Sequence, residues 1–169
     1  MVKQKFSLFL LFLSSFLLLV NCGKSEELKE EPKEQSVQIY LTALQGSKLN
    51  GKVIGCNDKL IGIERKIIVE RSPIEAAINQ LIIEKPAEVE ELRNFVKGPQ
   101  LMLVQVTIAA GIADVYLTGD FDISTVCDIS RIQEQLYETA KQFTDLKKVN
   151  FFINNQTLEN YLSIAKESF

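Results

Sequence analysis

The sequence predicts an α+β domain, a sandwich of β-α-β-β-α-β type in which a largely antiparallel sheet is covered on one face by two main helices. Three observations carry that prediction. Apolar residues alternate with period two in several short runs, two of those runs flank a glycine-bearing turn, and two other runs repeat at helical spacing. The chain has 169 residues, room for one such domain by the usual size of domains. Its 46% hydrophobic and 24% charged residues are the proportions of a folded chain.

The first element is not part of the sandwich. Lys3 and Lys5 precede an apolar run from Phe6 to Val20 broken only by Ser7, Ser14 and Ser15. A basic segment before a short apolar one is the pattern of an export signal, and the run is shorter than the ~20 apolar residues that a membrane-spanning helix needs. Leu19-Val20-Asn21-Cys22 then resembles a bacterial lipobox, in which a dedicated peptidase cuts before a cysteine whose sulfur carries diacylglycerol. The reading is a lipoprotein signal peptide at residues 1–21 and a lipidated N-terminus at Cys22, with ordinary secretion and an uncleaved anchor as alternatives. The expected location is the bacterial cell envelope, with the domain outside the cytoplasm and a lipid membrane contacted through Cys22. Residues 23–36, GKSEELKEEPKEQS, hold five glutamates, three lysines and a single large apolar residue, Leu28. Such a stretch cannot bury enough apolar area to offset its ordering entropy, so residues 22–36 read as an acidic flexible tether that reaches at most about 45–50 Å when extended.

The folded unit is expected at residues 37–169. Val37, Ile39, Leu41 and Ala43 alternate with Gln38, Tyr40 and Thr42, a half-buried strand; Leu60–Glu70 reads as a second strand after a loop. Ser72-Pro73-Ile74-Glu75 supplies an N-cap, a proline at the first helical position and a capping-box glutamate, and Ile74, Ala77, Ile78, Leu81 and Ile82 follow on one helix face. Past Pro86 a weaker helical turn is expected to carry Val89, Leu92 and Val96 up to Gly98-Pro99. Met102–Ile108 and Ala113–Leu117 alternate around Gly111 as a β-hairpin. A second helix starting near Asp128 or Ser130 places Ile129, Ile132, Leu136, Ala140 and Phe143 on one face. Val149, Phe151 and Ile153 form the last strand, and Leu158–Ala165 a closing helix.

Composition narrows the chemistry. The formal net charge of −3 argues against nucleic acid as a partner, since phosphate binding needs a clustered basic surface. Without histidine there is no imidazole catalysis and no His-ligated metal. No metal and no cofactor are expected. Neither a Gly-x-Ser-x-Gly elbow nor a phosphate-binding glycine loop occurs, so no catalytic residue is assigned. Asp114, Asp120 and Asp122 are the only carboxylates that suggest a glycan-cleaving pair, and acidic residues at strand ends more often form solvated turns.

Cys56-Asn57-Asp58 and Arg65, the helix Ala76–Leu81, the hairpin Val104–Leu117, the segment Cys127-Asp128-Ile129-Ser130-Arg131-Ile132-Gln133-Glu134-Gln135-Leu136, and Val149–Ile153 with Asn155 follow one another in an order that resembles a GerMN domain. That family takes its name from sporulation and spore-germination proteins and is common in exported bacterial lipoproteins. The resemblance implies a non-catalytic assembly or binding module with a βαββαβ core.

With Cys22 set aside, Cys56 and Cys127 remain as an even pair. Outside the cytoplasm the pair is expected to oxidise to a disulfide; two buried free thiols, or a half-filled metal site, are the alternatives. On the second helix Arg131, Gln135 and Tyr137, with Gln133, are read as a polar interaction face, against the plainer reading of a solvated helix side. Three functions follow as expectations: a scaffold that engages an envelope protein by a sheet edge or helix face, a lipoprotein that binds peptidoglycan or a small ligand in a pocket, and an envelope hydrolase.

Overall fold

A computed structural model describes residues 33–85, 91–167 and 169. The expected signal peptide at 1–21, Cys22, the expected tether up to residue 32 and Val89 lie outside the described residues.

β1 (Lys33–Ala43) and β3 (Lys59–Val69) form one long antiparallel ladder from Lys33↔Val69 to Ala43↔Lys59. The strand therefore starts four residues before the expected boundary, and Lys33, Glu34, Gln35 and Ser36 belong to the sheet and not to the tether. Their composition is that of a linker, but β3 offers each a ladder partner, and Lys66 pairs with Glu34 at 3.4 Å. β2 (Lys52–Val53) pairs with the start of β3, and β4 (Leu92–Arg93) pairs with Thr42 and Ala43 of β1, giving the order β2-β3-β1-β4. Leu92 thus sits in a strand, where helical spacing had placed it on a helix. Its partner across the sheet decides the matter, because two residues carry no periodicity of their own.

After α1 (Pro73–Ile83) a second sheet is built from β5 (Met102–Ala109), β6 (Ile112–Thr118), β7 (Lys148–Ile153) and β8 (Gln156–Thr157), in that order. The expected single, largely antiparallel sheet is therefore two sheets, and the second is mixed. β6 feeds α2 (Val126–Lys141), and a helical crossover of this kind returns the chain parallel to the strand it left. α3 (Leu158–Lys166) closes the chain. The fold class, α+β, is as the patterns predict.

Capping explains the helix starts. Ser72 Oγ accepts the backbone N–H of Glu75 at 3.3 Å with Pro73 in the first turn. α2 begins at Val126, ahead of the expected Asp128, because the Asp128 carboxylate reaches back to the N–H groups of Ser124 and Thr125, each at 2.9 Å. One apolar core joins Ile39, Leu41 and Ala43 of the first sheet to Val115, Leu117, Phe151 and Ile153 of the second through Ile78 and Leu81 of α1 and Ile132 and Leu136 of α2.

Candidate functional site

Between residues 38 and 40, β1 has β3 on one side and no strand on the other. α2 lies along that edge. Its Thr139 Oγ1 accepts the Tyr40 N–H at 3.2 Å, and the Gln142 side chain accepts the Gln38 N–H at 2.9 Å and donates to the Gln38 carbonyl at 2.8 Å. Gln135 donates to the Tyr40 carbonyl and accepts the Phe95 N–H, both at 2.8 Å. Residues 131, 135, 139 and 142 follow one line along the helix at steps of four, four and three. Side-chain amides and a hydroxyl thus take the place of a neighbouring strand.

The expected interaction face is corrected by this arrangement. Gln135 is 0% exposed. The Arg131 side chain is 14% exposed, and Tyr137 is half-buried with its ring edge-on to Phe151 and its hydroxyl donating to Glu159. Burial, then the Glu159 carboxylate, pushes the Tyr137 hydroxyl well above the usual tyrosine range. Helical periodicity marks only the apolar stripe, whereas α2 touches β1, β7 and α3, so its inward arc is wider than that stripe. The β1 edge is likewise covered, at 38–40 by α2 and at 42–43 by β4.

At the N-terminal end of α2 the seam becomes ionic. Arg131 Nε donates to Asp58 at 2.6 Å and its Nη1 to Asp128 at 2.7 Å, while the guanidinium stands 4.7 Å from the Phe95 ring centroid. Asp58 also accepts the Gln45 N–H at 2.8 Å. Burial pushes the Asp128 carboxyl up, but the N–H groups of Ser124 and Thr125 and the Arg131 guanidinium more than offset it and hold the group below the usual range.

Immediately beside this cluster, Cys56 and Cys127 are joined by a disulfide with their Cα atoms 5.9 Å apart. It fixes a tight 3-10 turn, Gly55–Asn57, to the start of α2. A side chain at Gly55 would put its Cβ 2.4 Å from Ser130 Oγ, so only glycine lets the turn approach the helix.

Beyond Arg131 the surface opens into a shallow cleft of about 730 Å³, lined among others by Phe95, Lys97, Phe121, Asp122 and Ser124. Of the carboxylates of the sequence reading, Asp120 and Asp122 both line this cleft and Asp114 lies apart from it. Asp114 accepts from Asn150 at 2.7 Å across β6 and β7, and Asp120 accepts from the Tyr161 hydroxyl at 3.1 Å. No group of three or more Cys, Asp or Glu that could hold a metal occurs among the described residues.

A further exposed apolar feature is the outer edge of the second sheet. β5 is its terminal strand, and Leu101–Ala109 contains no charged residue. Met102 and Val104 are each 56% exposed and Ile108 51%. A bulge between Leu103 and Gln105 leaves Gln105–Ala109 as the regular stretch. Sequence reasoning missed the whole seam of Asp58, Thr139 and Gln142. On α2, Glu134 and Glu138 pair with Lys52, and Glu138 also with Lys141, while the side chains that reach β1 are two amides and a hydroxyl.

No family model matches the chain, and no curated protein does. Among solved structures it is similar to the first GerMN domain of the sporulation protein GerM from Bacillus subtilis, at 17% identity over 74% of this chain and 86% of that one, with a TM-score of 0.48.

Proposed function

We propose that the protein is an envelope lipoprotein, anchored by lipid on Cys22 and held on an acidic tether, whose domain docks another protein without a catalytic step of its own. The observation that carries this reading is the outer edge of β5, an uncharged strand with unpaired backbone groups and half-exposed apolar side chains. Soluble domains usually guard such edges with charges, proline or a covering element, and a strand edge recognises a partner through backbone hydrogen bonds while side chains select it. A tether raises the effective concentration of the module near partners in the same membrane plane, so a modest surface suffices.

The cleft beside Arg131 favours a second reading, in which Phe95 and Phe121 with Lys97 and Asp122 hold a peptidoglycan fragment or another small ligand. A photoreactive side chain at Thr107 and another at Phe121, in intact cells, separate the two. The docking reading expects protein adducts at Thr107. It fails if Thr107 captures nothing while purified cell-wall sacculi retain the protein and Lys97→Glu releases it. Anchoring is tested by Cys22→Ala, which should abolish incorporation of labelled palmitate; undiminished labelling would remove the lipid from this account.

A further inference from the structure

Resting on that docking reading, we propose that the partner at the β5 edge is a second copy of this chain, paired antiparallel with β5 about a two-fold axis through Thr107. Three observations lead there. First, the regular stretch Gln105-Val106-Thr107-Ile108-Ala109 matches itself when reversed. Thr107 faces Thr107 of the other copy, Val106 faces Ile108 on one face, and Gln105 faces Ala109 on the other. Threonine–threonine and β-branched cross-strand pairs are among the favourable ones.

Second, Val106 and Ile108 lie opposite Val115 and Ala113 of β6, so both stand on the core side of the sheet. Ile108 is nevertheless 51% exposed, because the sheet ends there. Val106 of the second copy would cover it and continue the core face across the axis, joining two four-stranded sheets into one of eight strands.

Third, the two ends of β5 carry opposite charge. At the Met102 end, the backbone N–H groups of Asp120 and Asp122 donate to the carbonyls of Pro99 and Lys97, which places the exposed residues Asp120, Asp122 and Lys97 at that end. At the Ala109 end, Lys147 and Lys148 bond to the turn at Gly111, with Asp145 nearby in sequence, presenting two exposed lysines and one carboxylate. Antiparallel pairing sets each end against the opposite end of the other copy. A parallel arrangement would oppose like charges. A two-fold axis also closes the assembly at two copies, since both open edges are consumed.

The test uses the full chain in its own membrane, co-expressed with two different tags. Thr107→Cys places two thiols on strands with Cα atoms about 4.5–5.5 Å apart, within disulfide reach. Mild oxidation with copper–phenanthroline should give a reducible dimer carrying both tags. In the same register the two copies of Gln105 lie roughly 13 Å apart along the strands, so Gln105→Cys should give at least about tenfold less dimer. Equal yields from the two positions would overturn the register and with it the proposal. Should Thr107→Cys fold poorly, a photoreactive group at Ala109 reports the same contact, and Thr107→Lys should lower its two-tag adduct at least about tenfold, since like charges would meet on the axis. Adducts at Ala109 that contain only a different protein would refute the second copy while leaving the docking reading intact. Absence of any protein adduct on β5 would refute both.

Discussion

Two strand edges of this domain face opposite fates. On the side of β1 away from β3, the backbone groups of Gln38 and Tyr40 are met by Gln135, Thr139 and Gln142, and Thr42 and Ala43 pair with β4. At β5 no strand among the described residues pairs with the outer edge, and of the helices α1 packs against this strand. A third edge, that of β3, is open beyond β2 but carries Glu64 and Lys66, charges of the kind that discourage pairing. The lesson is that exposure alone does not mark an interface. An edge can be sealed by side chains, guarded by charge, or left both open and neutral, and only the last is suited to a partner.

Several changes would break or sharpen this contrast. The largest loss is expected from Arg131→Ala, which strands Asp58 and Asp128 in the buried seam without their cation. Removing one member of a buried ionic group costs about 3–5 kcal/mol, read as a lowered urea midpoint with an unchanged slope. Next comes the double change Cys56→Ser and Cys127→Ser. The disulfide spans a sequence separation of 71 residues, and in the chain-entropy model its loss costs at most about 4 kcal/mol. If its role is to fix the start of α2, the loss should speed hydrogen exchange at Ser124 and Thr125 before it touches β5. Gln135→Leu keeps the volume but leaves the Tyr40 carbonyl and Phe95 N–H unsatisfied, at about 1–3 kcal/mol for each group. A neutral result would mean that α2 merely lies near β1 without sealing it.

A smaller effect should appear in acid. The folded Asp128 carboxyl titrates below its ordinary value of about 3.9, so its contribution is present above that value and is lost as pH falls through and below it. Asp128→Asn should therefore flatten the dependence of stability on pH in the acid range and leave it unchanged at neutral pH. An unaltered acid limb would place the Asp128 charge outside the energetics of the seam.

What could be read from sequence follows the range of the signal. Alternation located β1, β3, β5, β6 and β7, and the Ser72-Pro73 start located α1, because side-chain period and capping are local. Which strands pair is not local. Two sheets arise because β6, α2 and β7 form a crossover, whereas β1 and β3 pair with each other, and no window around Ile39 or Val115 contains that information. For the same reason Gln135 and Arg131 read as surface. Their partners Tyr40 and Asp58 are 95 and 73 residues away, and a helical wheel counts polarity without knowing what the backbone of a distant strand lacks. The neutral run Leu101–Ala109 could be read in advance as a strand but not as an edge, since edge position is set by the sheet order.

Hydrogen exchange on the full chain, resolved to single amides and compared between the native protein and Thr107→Lys, tests the contrast between sealed and open edges most directly. In both forms the Gln38 and Tyr40 amides should exchange slowly, close to the global unfolding limit, because α2 holds them. Within Gln105–Ala109, the amides not bonded to β6 should be protected in the native protein and become fast in Thr107→Lys. Fast exchange at Tyr40 in the native protein, or unchanged β5 protection in the variant, would contradict the account.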